Sequence, residues 1–390
     1  MNSFDMLPQN CKHILDSIPS LIEKTFPIPG KYRGKLPKDI AELSHLLTNK
    51  RSDRSLSYLT RPNFLSAYLY YFLPWNLYRL CLLLPSLDIS LSAGDKITDF
   101  GCGPLTFAAA LWIAREDLRK IPLEINCIDR SGPALEAGKK FFNVLANPAC
   151  PWKINIKKED IDIRKTRKGS SNLVCAVNIY NEVYEHLPHN NTKGLLQMAA
   201  NAAKLMHNEA SEDASIFIME PGVPRSGHFI SFLRNSFLEL NRPPVSPCTH
   251  SKACPFNSGS ANIVRGRDWL DTKKRWCHFA SETTGAPKEL RRLSAAAKLP
   301  KERLVYSYLL AGKVQKNTGE KHTENVRIIS DAFSLPNNRY GRYGCSDKGL
   351  ILMTGEKEKI EKQVSGSLAS AKYFTDSQRD VKSGALLSEV

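Results

Sequence analysis

Apolar side chains in the first 90 residues recur at helical spacing. Residues 40–47 and 65–72 place Leu, Ile and aromatic side chains three or four positions apart, which brings them to one face of a helix. Pro37, Pro62, Pro74 and Pro85 interrupt the pattern, and the residue before a proline disfavours helical backbone. The pattern therefore predicts an N-terminal helical region made of several short helices.

The pattern changes after Asp95 to short apolar runs that alternate with helical segments. Strands are predicted at residues 96–100, 123–128, 153–157, 172–177 and 215–219, and later at 303–311 and 350–354. Helices are predicted at residues 105–116 and 133–145. Strands alternating with helices are typical of a parallel sheet covered on both faces, so the predicted fold class is α/β and Rossmann-like.

These patterns divide the chain into four parts. Residues 1–90 are the N-terminal helical region, and residues 91–222 together with 301–355 are the α/β domain. Residues 223–300 are a basic, cysteine-rich insertion late in the sheet. Residues 356–390 are rich in Lys, Ser and Glu, and we expect a surface helix or a partly disordered tail there.

Glycines and aspartates cluster at the ends of the first three predicted strands. Asp99 is followed by a turn that contains Gly101 and Gly103, Asp129 ends the second strand, and Asp160 follows the third. A glycine turn lets the backbone approach a ligand, and open α/β sheets bind cofactors at the carboxyl ends of their strands. A carboxylate such as Asp129 can accept hydrogen bonds from both hydroxyls of a ribose, and Asp160 is placed to face an adenine.

The glycine turn lacks one element of the dinucleotide-binding fingerprint. That fingerprint has a third glycine at the start of the helix, where this chain has Leu105 and Thr106. A nucleoside smaller than a dinucleotide is therefore favoured. Each feature alone has an ordinary alternative, such as a tight turn without a ligand or a helix-capping aspartate, but their serial order favours a ligand site.

This arrangement resembles the S-adenosylmethionine-dependent methyltransferase fold, whose sheet closes with an antiparallel hairpin. By that resemblance, the strands at 303–311 and 350–354 form the hairpin. Asp99, Gly101 and Gly103 would line the methionine part of the cofactor, Asp129 would bind its ribose, and Asp160 would lie near its adenine.

The sequence names no obligatory catalytic acid or base, because methyl transfer from a sulfonium requires chiefly alignment of the nucleophile with the methyl group. Asn178 and Asn181, after the fourth strand, are candidates. They stand where amino-methylating enzymes of this fold resemble one another in an Asn/Asp-Pro-Pro-aromatic motif, although proline is absent here from both inner positions. The alternative is that both residues cap the next helix.

The insertion contains three cysteines. Their spacing, Cys248-x5-Cys254-x22-Cys277, contains no close pair of the kind found in structural zinc sites. Cys345, flanked by glycine, is a candidate fourth ligand, and four widely spaced cysteines suit a cuboidal iron-sulfur cluster that takes one ligand at each iron. A zinc site with three cysteines and either His250 or His278 remains open, as does a set of free cysteines in the core.

The excess of positive charge favours a polyanionic partner. The chain has 55 Lys and Arg against 39 Asp and Glu, a net charge of +16, and residues 222–300 alone carry a net +8. Neutralising phosphates releases condensed counterions, so such a segment favours nucleic acid. The candidate contacts are Arg265, Arg267, Lys273, Lys274 and Arg275. The alternative is that the charge serves only solubility.

Several motifs together resemble a methyltransferase-like family associated with the small subunit of the mitochondrial ribosome, which also has bacterial members. They are D-F-G-C-G-P at 99–104, E-P-G-V-P at 220–224, P-C-T-H at 247–250, C-P at 254–255, W-C-H-F at 276–279 and Y-S-Y at 306–308. The resemblance implies a 4Fe-4S cluster on Cys248, Cys254, Cys277 and Cys345. It also implies binding to small-subunit ribosomal RNA during assembly.

Three functions follow as hypotheses. The first is an S-adenosylmethionine-dependent methyltransferase acting on ribosomal RNA, the second is a non-catalytic assembly factor that retains the fold, and the third is a methyltransferase for a protein or small molecule. The N-terminus lacks the pattern of a signal peptide, and no apolar run reaches the roughly 18 residues of a membrane span. We therefore expect a monomer in the cytoplasm, or in mitochondria if the chain is eukaryotic, with no membrane partner.

Overall fold

The computed structural model describes residues 7–48, 58–146, 149–164, 168–188, 190–257, 275–312, 325–370, 372–373 and 378–389. The helices are α1 (Gln9–Thr25), α2 (Gly30–Arg33), α3 (Leu36–Thr48), α4 (Pro62–Ala67), α5 (Leu73–Leu83), α6 (Thr106–Ala114), α7 (Gly132–Ala146), α8 (Tyr180–Val183), α9 (Thr192–Glu209), α10 (Pro224–Glu239), α11 (Lys288–Ala296) and α12 (Lys357–Glu361). The first eight strands are β1 (Lys96–Phe100), β2 (Glu124–Asp129), β3 (Lys153–Lys158), β4 (Ser171–Val177), β5 (Ala210–Pro221), β6 (Pro244–Ser246), β7 (Phe279–Glu282) and β8 (Arg303–Ala311). The remaining strands are β9 (Asn325–Ile328), β10 (Phe333–Leu335), β11 (Arg339–Ser346), β12 (Gly349–Gly355), β13 (Leu368–Ser370), β14 (Lys372–Tyr373) and β15 (Leu386–Glu389).

The first sheet has the strand order β3-β2-β1-β4-β5-β8-β6, and β7 also pairs with β8. Strands β1 to β5 are parallel, whereas β8 runs antiparallel to β5. Because the parallel strands all end at one edge, the turns that follow β1, β2 and β4 meet there. The predicted α/β, Rossmann-like class is confirmed, and β8 occupies the predicted residues 303–311.

The N-terminal helices share a hydrophobic core with one face of this sheet. Helices α1 and α5 both pack against α6, and α1 also contacts α7. Side chains from all four helices belong to one buried cluster, with Ile18, Leu77, Leu111 and Phe141 among its members. A π-helical turn, Tyr68–Phe72, joins α4 to α5. The predicted helical region therefore extends the sheet's core.

A second sheet contains the late strands of the chain. Its order is β13-β9-β11-β12-β15-β14, with β10 paired to β11. The expectation that the strand near 350–354 would close the first sheet is wrong, because β12 pairs with β11 and β15. Residues 356–390 were expected to form a surface helix or tail, yet they supply α12 and three strands. The apolar pattern predicts a strand but does not specify the sheet to which it belongs.

The cysteine-rich stretch lies between strands of the first sheet. Strands β6 and β7 flank it, and both pair with β8. Residues 258–274, which include Arg265, Arg267, Lys273 and Lys274, lie outside the described residues. In the described part of the chain, no helix is long and apolar enough to cross a membrane.

Gly138 allows α7 to pack against the turn after β1. A Cβ atom at Gly138 would lie 2.3 Å from the carbonyl carbon of Pro104 and 2.7 Å from Leu105 Cδ1. Leu105 itself has a φ of 56°, in the left-handed region that non-glycine residues rarely adopt. The close approach of α7 therefore fixes the backbone of the turn.

We expect Gly138→Ala to destabilise the protein by about 1–3 kcal/mol, because the added methyl group must displace backbone in a packed contact. Urea unfolding followed by circular dichroism would measure the change. Gly34→Ala is the matched control, since a Cβ there meets no atom within 4 Å. Equal stability of the two variants would contradict this account of the α7 contact.

Candidate functional site

A cleft of about 260 Å³ lies at the carboxyl ends of the parallel strands. Of the residues predicted from the sequence, the structure brings five to its lining: Gly101, Gly103, Asp129, Asp160 and Asn178. Asp99 lines a smaller cavity that adjoins the cleft and shares Tyr68, Gly101 and Asn178 with it. Residues that follow successive strands in the sequence thus line one continuous surface.

The glycine turn has the backbone that its sequence indicates. Gly101 and Gly103 have φ angles of 66° and 53°, values that favour glycine. The N–H groups of Gly101 and Cys102 both donate to the carbonyl of Ile128, at 2.8 and 3.2 Å, and attach the turn to the neighbouring strand. A Cβ atom at Gly101 would lie 2.6 Å from the side chain of Ile179, so glycine is also required for space.

Asp129 joins the glycine turn to the start of α7. Its Oδ2 accepts a hydrogen bond from Gly103 N and its Oδ1 accepts one from Ser131 N, both at 2.8 Å. Burial raises the pKa of the Asp129 carboxyl group, and these two N–H donors oppose that rise. Each carboxylate oxygen has a second lone pair, so Asp129 can accept two further hydrogen bonds.

Asp99 is a fully buried carboxylate of the site. Its side chain is fully inaccessible, and its Oδ1 accepts a hydrogen bond from the thiol of Cys175 at 3.4 Å. Its Oδ2 is buried and has no hydrogen-bond partner among the described residues. Burial, followed by the negative charge of Asp129, raises the pKa of Asp99 to about 8. A nearby cation would lower that pKa and make the carboxylate ionise.

Two other buried polar atoms of this cavity have no hydrogen-bond partner in the described residues: Thr106 Oγ1 and Asn178 Oδ1. Asn178 has a φ of 57°, and its Nδ2 donates to Asn76 Oδ1 at 3.4 Å. Buried polar groups normally have partners, so a cluster of unpaired ones marks a place for a polar ligand. The residues present therefore suit a compact ligand that both donates and accepts hydrogen bonds.

Glu182 also lines the cleft, where it joins two other segments of the chain. Its carboxylate accepts hydrogen bonds from Tyr58 Oη at 3.2 Å and from Arg130 Nη2 at 3.0 Å. Tyr68 projects from the π-helical turn, and burial, with the charges of Glu182 and Asp129, raises its pKa above the usual range. The N-terminal region thus supplies two aromatic side chains, Tyr58 and Tyr68, to the cleft.

Glu220, at the end of β5, organises the loop after β4. Its fully buried carboxylate accepts hydrogen bonds from Tyr180 N, Asn181 N and Asn181 Nδ2, at 2.8, 3.1 and 2.8 Å. Burial raises its pKa to about 7, and the hydrogen bonds from Asn181 and Tyr180 oppose the rise. Asn181 is occupied by this contact and is not among the described residues that line the cleft, whereas Asn178 is. Sequence reasoning missed the role of Glu220, for which the signals were its position at a strand end and its place in the E-P-G-V-P motif.

The four predicted cysteine ligands lie near one another. Burial, together with charge on the other cysteines of the set, raises the pKa of Cys254 to about 11 and those of Cys277 and Cys345 well above the usual range. Cys248 contributes to all three of these shifts. Cys345 comes from β11 of the second sheet, and its Sγ is 3.6 Å from His250 Nε2. Among the described residues, no three of His, Cys, Asp or Glu are spaced to hold a single metal ion.

Two buried arginines hold the loop that contains Cys248. Arg234 Nε donates to Cys248 Sγ at 3.3 Å, and its Nη2 donates to the carbonyls of His250 and Lys252 at 2.9 and 2.7 Å. Arg327, from β9, donates to the carbonyl of Pro247 at 2.8 Å. The positive charge of Arg234 opposes the rise in the pKa of Cys277 and Cys345 that burial causes.

Arg275 is the described member of the predicted RNA-binding set. Its guanidinium donates to the carbonyls of Ser383 and Lys382, at 2.6 and 3.2 Å. This contact connects the end of the cysteine-rich stretch to the C-terminal segment of the second sheet.

The strand order, the antiparallel β8 and the glycine turn at the cleft define the Rossmann-like fold of S-adenosylmethionine-dependent methyltransferases. Within that class, the chain belongs to the family described as mitochondrial small ribosomal subunit Rsm22. The match covers residues 92–334, well over half of the chain.

Solved structures similar to this chain include three with methyltransferase or related names. The cyclopropane synthase MmaA2 from Mycobacterium tuberculosis has 10% identity and a TM-score of 0.32 over 79% of this chain and 100% of that one. Phosphoethanolamine N-methyltransferase 2 from Haemonchus contortus, in complex with S-adenosyl-L-methionine, has 11% identity and a TM-score of 0.34 over 67% and 60%. A methyltransferase from Thiobacillus denitrificans, in complex with S-adenosyl-L-homocysteine, has 15% identity and a TM-score of 0.31 over 62% and 92%. A search of curated proteins found no match.

We expect Glu220→Gln to destabilise the protein by about 1–3 kcal/mol. In the wild type both carboxylate oxygens accept hydrogen bonds from Tyr180 and Asn181, whereas in the variant one oxygen is replaced by an NH₂ group that cannot accept one. Urea unfolding would measure the loss. Glu136→Gln is the matched control, since Glu136 is exposed on α7, and it should leave stability unchanged. A Glu220→Gln protein as stable as wild type would show that the carboxylate is not needed to hold the loop.

Proposed function

We propose that this protein binds S-adenosylmethionine in the cleft and methylates ribosomal RNA of the small ribosomal subunit. The observation that carries the proposal is the group of unpaired buried polar atoms, Asp99 Oδ2, Thr106 Oγ1 and Asn178 Oδ1, beside a glycine turn. The cofactor has an amino acid part and a nucleoside part. The cleft and its adjoining cavity offer a surface for each.

Different residues of the chain would bind different parts of the cofactor. Asp99 would accept a hydrogen bond from the cofactor's ammonium group, and Gly101 and Gly103 would let the backbone approach the methionine part. Asp129 would use its remaining lone pairs for the two ribose hydroxyls while it keeps the turn in place. Asp160, exposed at the far side of the cleft, would lie near the adenine. When bound, the cofactor supplies an activated methyl group on a sulfonium.

Asn178 is the residue placed to orient an acceptor. It lines both the cleft and the smaller cavity. Its unpaired Oδ1 can accept a hydrogen bond from an N–H or O–H group and so hold a nucleophile in line. Glu220 helps to position Asn178, because its hydrogen bonds to Tyr180 and Asn181 fix the loop that begins at Asn178. Asn181, the other candidate, would act only through that support.

Cofactor binding should depend on pH through Asp99. Because the pKa of Asp99 is about 8 in the free protein, most molecules at neutral pH carry a proton there, and an arriving ammonium group would displace it. Affinity should therefore rise with pH, by at most about tenfold per unit, until the pH approaches that pKa. Titration calorimetry in buffers of different ionisation enthalpy should detect release of about one proton at neutral pH.

Two variants give this measurement its controls. Asp99→Asn should weaken binding and abolish proton release, whereas Asp160→Asn should retain proton release because Asp160 is exposed. If wild type binds the cofactor without releasing a proton, Asp99 does not pair with the ammonium group. If it does not bind the cofactor at all, the proposed function is wrong.

A methyl-transfer assay on immature small ribosomal subunits separates the enzyme from the non-catalytic assembly factor. Incorporation of labelled methyl groups into RNA, reduced in Asn178→Ala, supports the enzyme. Cofactor binding and particle association without transfer would support the assembly factor. Transfer to ribosomal protein or to a small molecule would favour the third hypothesis.

We also propose a 4Fe-4S cluster held by Cys248, Cys254, Cys277 and Cys345. Its support is that the four cysteines lie close together, with charge on Cys254, Cys248 and Cys277 adding to the burial that raises the pKa of Cys345. A cuboidal cluster takes each thiolate at a different iron, so its ligands lie farther apart than those of one zinc ion. Arg234 and Arg327 would offset the negative charge of a cluster with four thiolate ligands. A zinc ion on three of the cysteines and His250 is the alternative.

Protein purified without oxygen should be brown, with broad absorbance near about 400 nm and about four irons per chain. Cys254→Ser should lose the iron and loosen the loop, since metal binding and local folding are coupled. Cys150→Ser is the control, because Cys150 lies outside this group and should leave the iron content unchanged. A colourless protein with one zinc ion would overturn the cluster.

The small ribosomal subunit and its RNA are the proposed partners. The family's description and the charge of +16 support this assignment. Arg265, Arg267, Lys273, Lys274 and Arg275 would contact RNA phosphates. A cytoplasmic location, or a mitochondrial one in a eukaryote, and a monomeric state belong to the same proposal.

A further inference from the structure

We propose that a second cleft, in the N-terminal region, binds a base of single-stranded RNA. The inference rests on the proposed RNA partner and names contact residues other than those at 265–275. This cleft has a volume of about 540 Å³ and lies between α2, α3 and α4. Its lining includes Pro29, Tyr32, Lys35, Asp39 and Asn63.

The lining combines an aromatic ring with hydrogen-bonding groups. Tyr32 is 49% exposed, unusually high for a large hydrophobic side chain in this protein. Asn63 Nδ2 donates to Asp39 Oδ1 at 3.4 Å, which leaves the other carboxylate oxygen and the amide oxygen to accept further hydrogen bonds. A nucleobase has a flat face that stacks on an aromatic ring and an edge that carries N–H groups. The cleft fits both.

The charge around this cleft selects a polyanion. Residues 27–39 contain four Lys or Arg and one acidic residue, Asp39, and Arg33 pairs with Glu23. Lys31 Nζ lies 4.9 Å from the centre of the Tyr32 ring, and Lys35 Nζ lies 6.0 Å from it. Because these ammonium groups lie over the ring, a base that stacks on Tyr32 would displace a lysine from the ring face, and that lysine could then pair with a flanking phosphate. This pairing of stacking with phosphate charge is typical of single-stranded nucleic acid sites.

The position of the second cleft links it to the cofactor cleft. Tyr58 and Leu59 line the cofactor cleft, and Pro62 and Asn63, only a few residues later, line the second cleft. A short 3-10 helix, Tyr58–Thr60, leads directly into α4 between them. An RNA strand anchored at Tyr32 would thus continue within a few nucleotides of the cofactor. The contact would position the RNA relative to the methyl group.

Fluorescence anisotropy of full-length protein with a labelled, unstructured RNA of about ten nucleotides would test this inference. Tyr32→Ala should weaken binding about fivefold to a hundredfold, whereas Tyr32→Phe should bind like wild type because the stacking ring remains. Lys35→Gln should weaken binding and reduce the salt slope by about one. Lys12→Gln, an exposed lysine on α1, is the charge-matched control and should change neither. Circular dichroism would check that each variant is folded.

The outcomes distinguish this inference from the proposed function. Wild-type binding that is unchanged in Tyr32→Ala but lost when the five basic residues at 265–275 become Gln would overturn the second cleft and leave the proposed function standing. Binding of labelled polyglutamate with the same dependence on Tyr32 would overturn RNA as the occupant. No RNA binding by wild type would overturn both. RNA containing 4-thiouridine should crosslink to the peptide with Tyr32, and crosslinks confined to other peptides would also count against the cleft.

Discussion

Three buried carboxylates at one edge of the first sheet constrain the rest of the site. Asp99, Asp129 and Glu220 end β1, β2 and β5 or lie close to those ends, and burial is the largest cause of the raised pKa of each. Taking a carboxylate out of water is costly unless donors replace the water. The loops at this edge supply those donors, so their backbone geometry follows from the need to satisfy the three acids.

The three carboxylates differ in how many of their oxygens have hydrogen-bond donors. Glu220 accepts three hydrogen bonds and Asp129 accepts two backbone N–H groups, whereas one oxygen of Asp99 has no partner in the described residues. The first two therefore act as structural supports for the loops after β4 and β1. Asp99 is left as the carboxylate that gains most from a cationic ligand, which supports the proposed place of the cofactor's ammonium group.

Local patterns in the sequence predicted β1 to β5, β8 and β12, because alternating segments and the glycine turn depend on neighbouring residues. They missed β6, β7 and the other strands of the second sheet. The positions of Gly101, Gly103 and Asp129 followed from that local reasoning. The role of Glu220 could not be predicted, since it depends on the pairing of β4 with β5, which brings residue 220 beneath residues 180 and 181. For the same reason, the sequence indicated a strand at 350–354 but could not show that it pairs within a second sheet.

The four cysteines of the proposed cluster come from the second sheet and from a stretch between strands of the first sheet. Cys345 and Arg327 belong to the second sheet, whereas Cys248, Cys254 and Cys277 come from the stretch between β6 and β7. Lys252 also pairs with Asp347 at 3.1 Å. A group bound by the four thiols would therefore join two sheets that already share part of one hydrophobic core, since Tyr343 and Leu350 of the second sheet pack against the cluster beside the first. Since Arg234 and Arg327 already hold the loop between these sheets, loss of the bound group should loosen their connection before it unfolds either core.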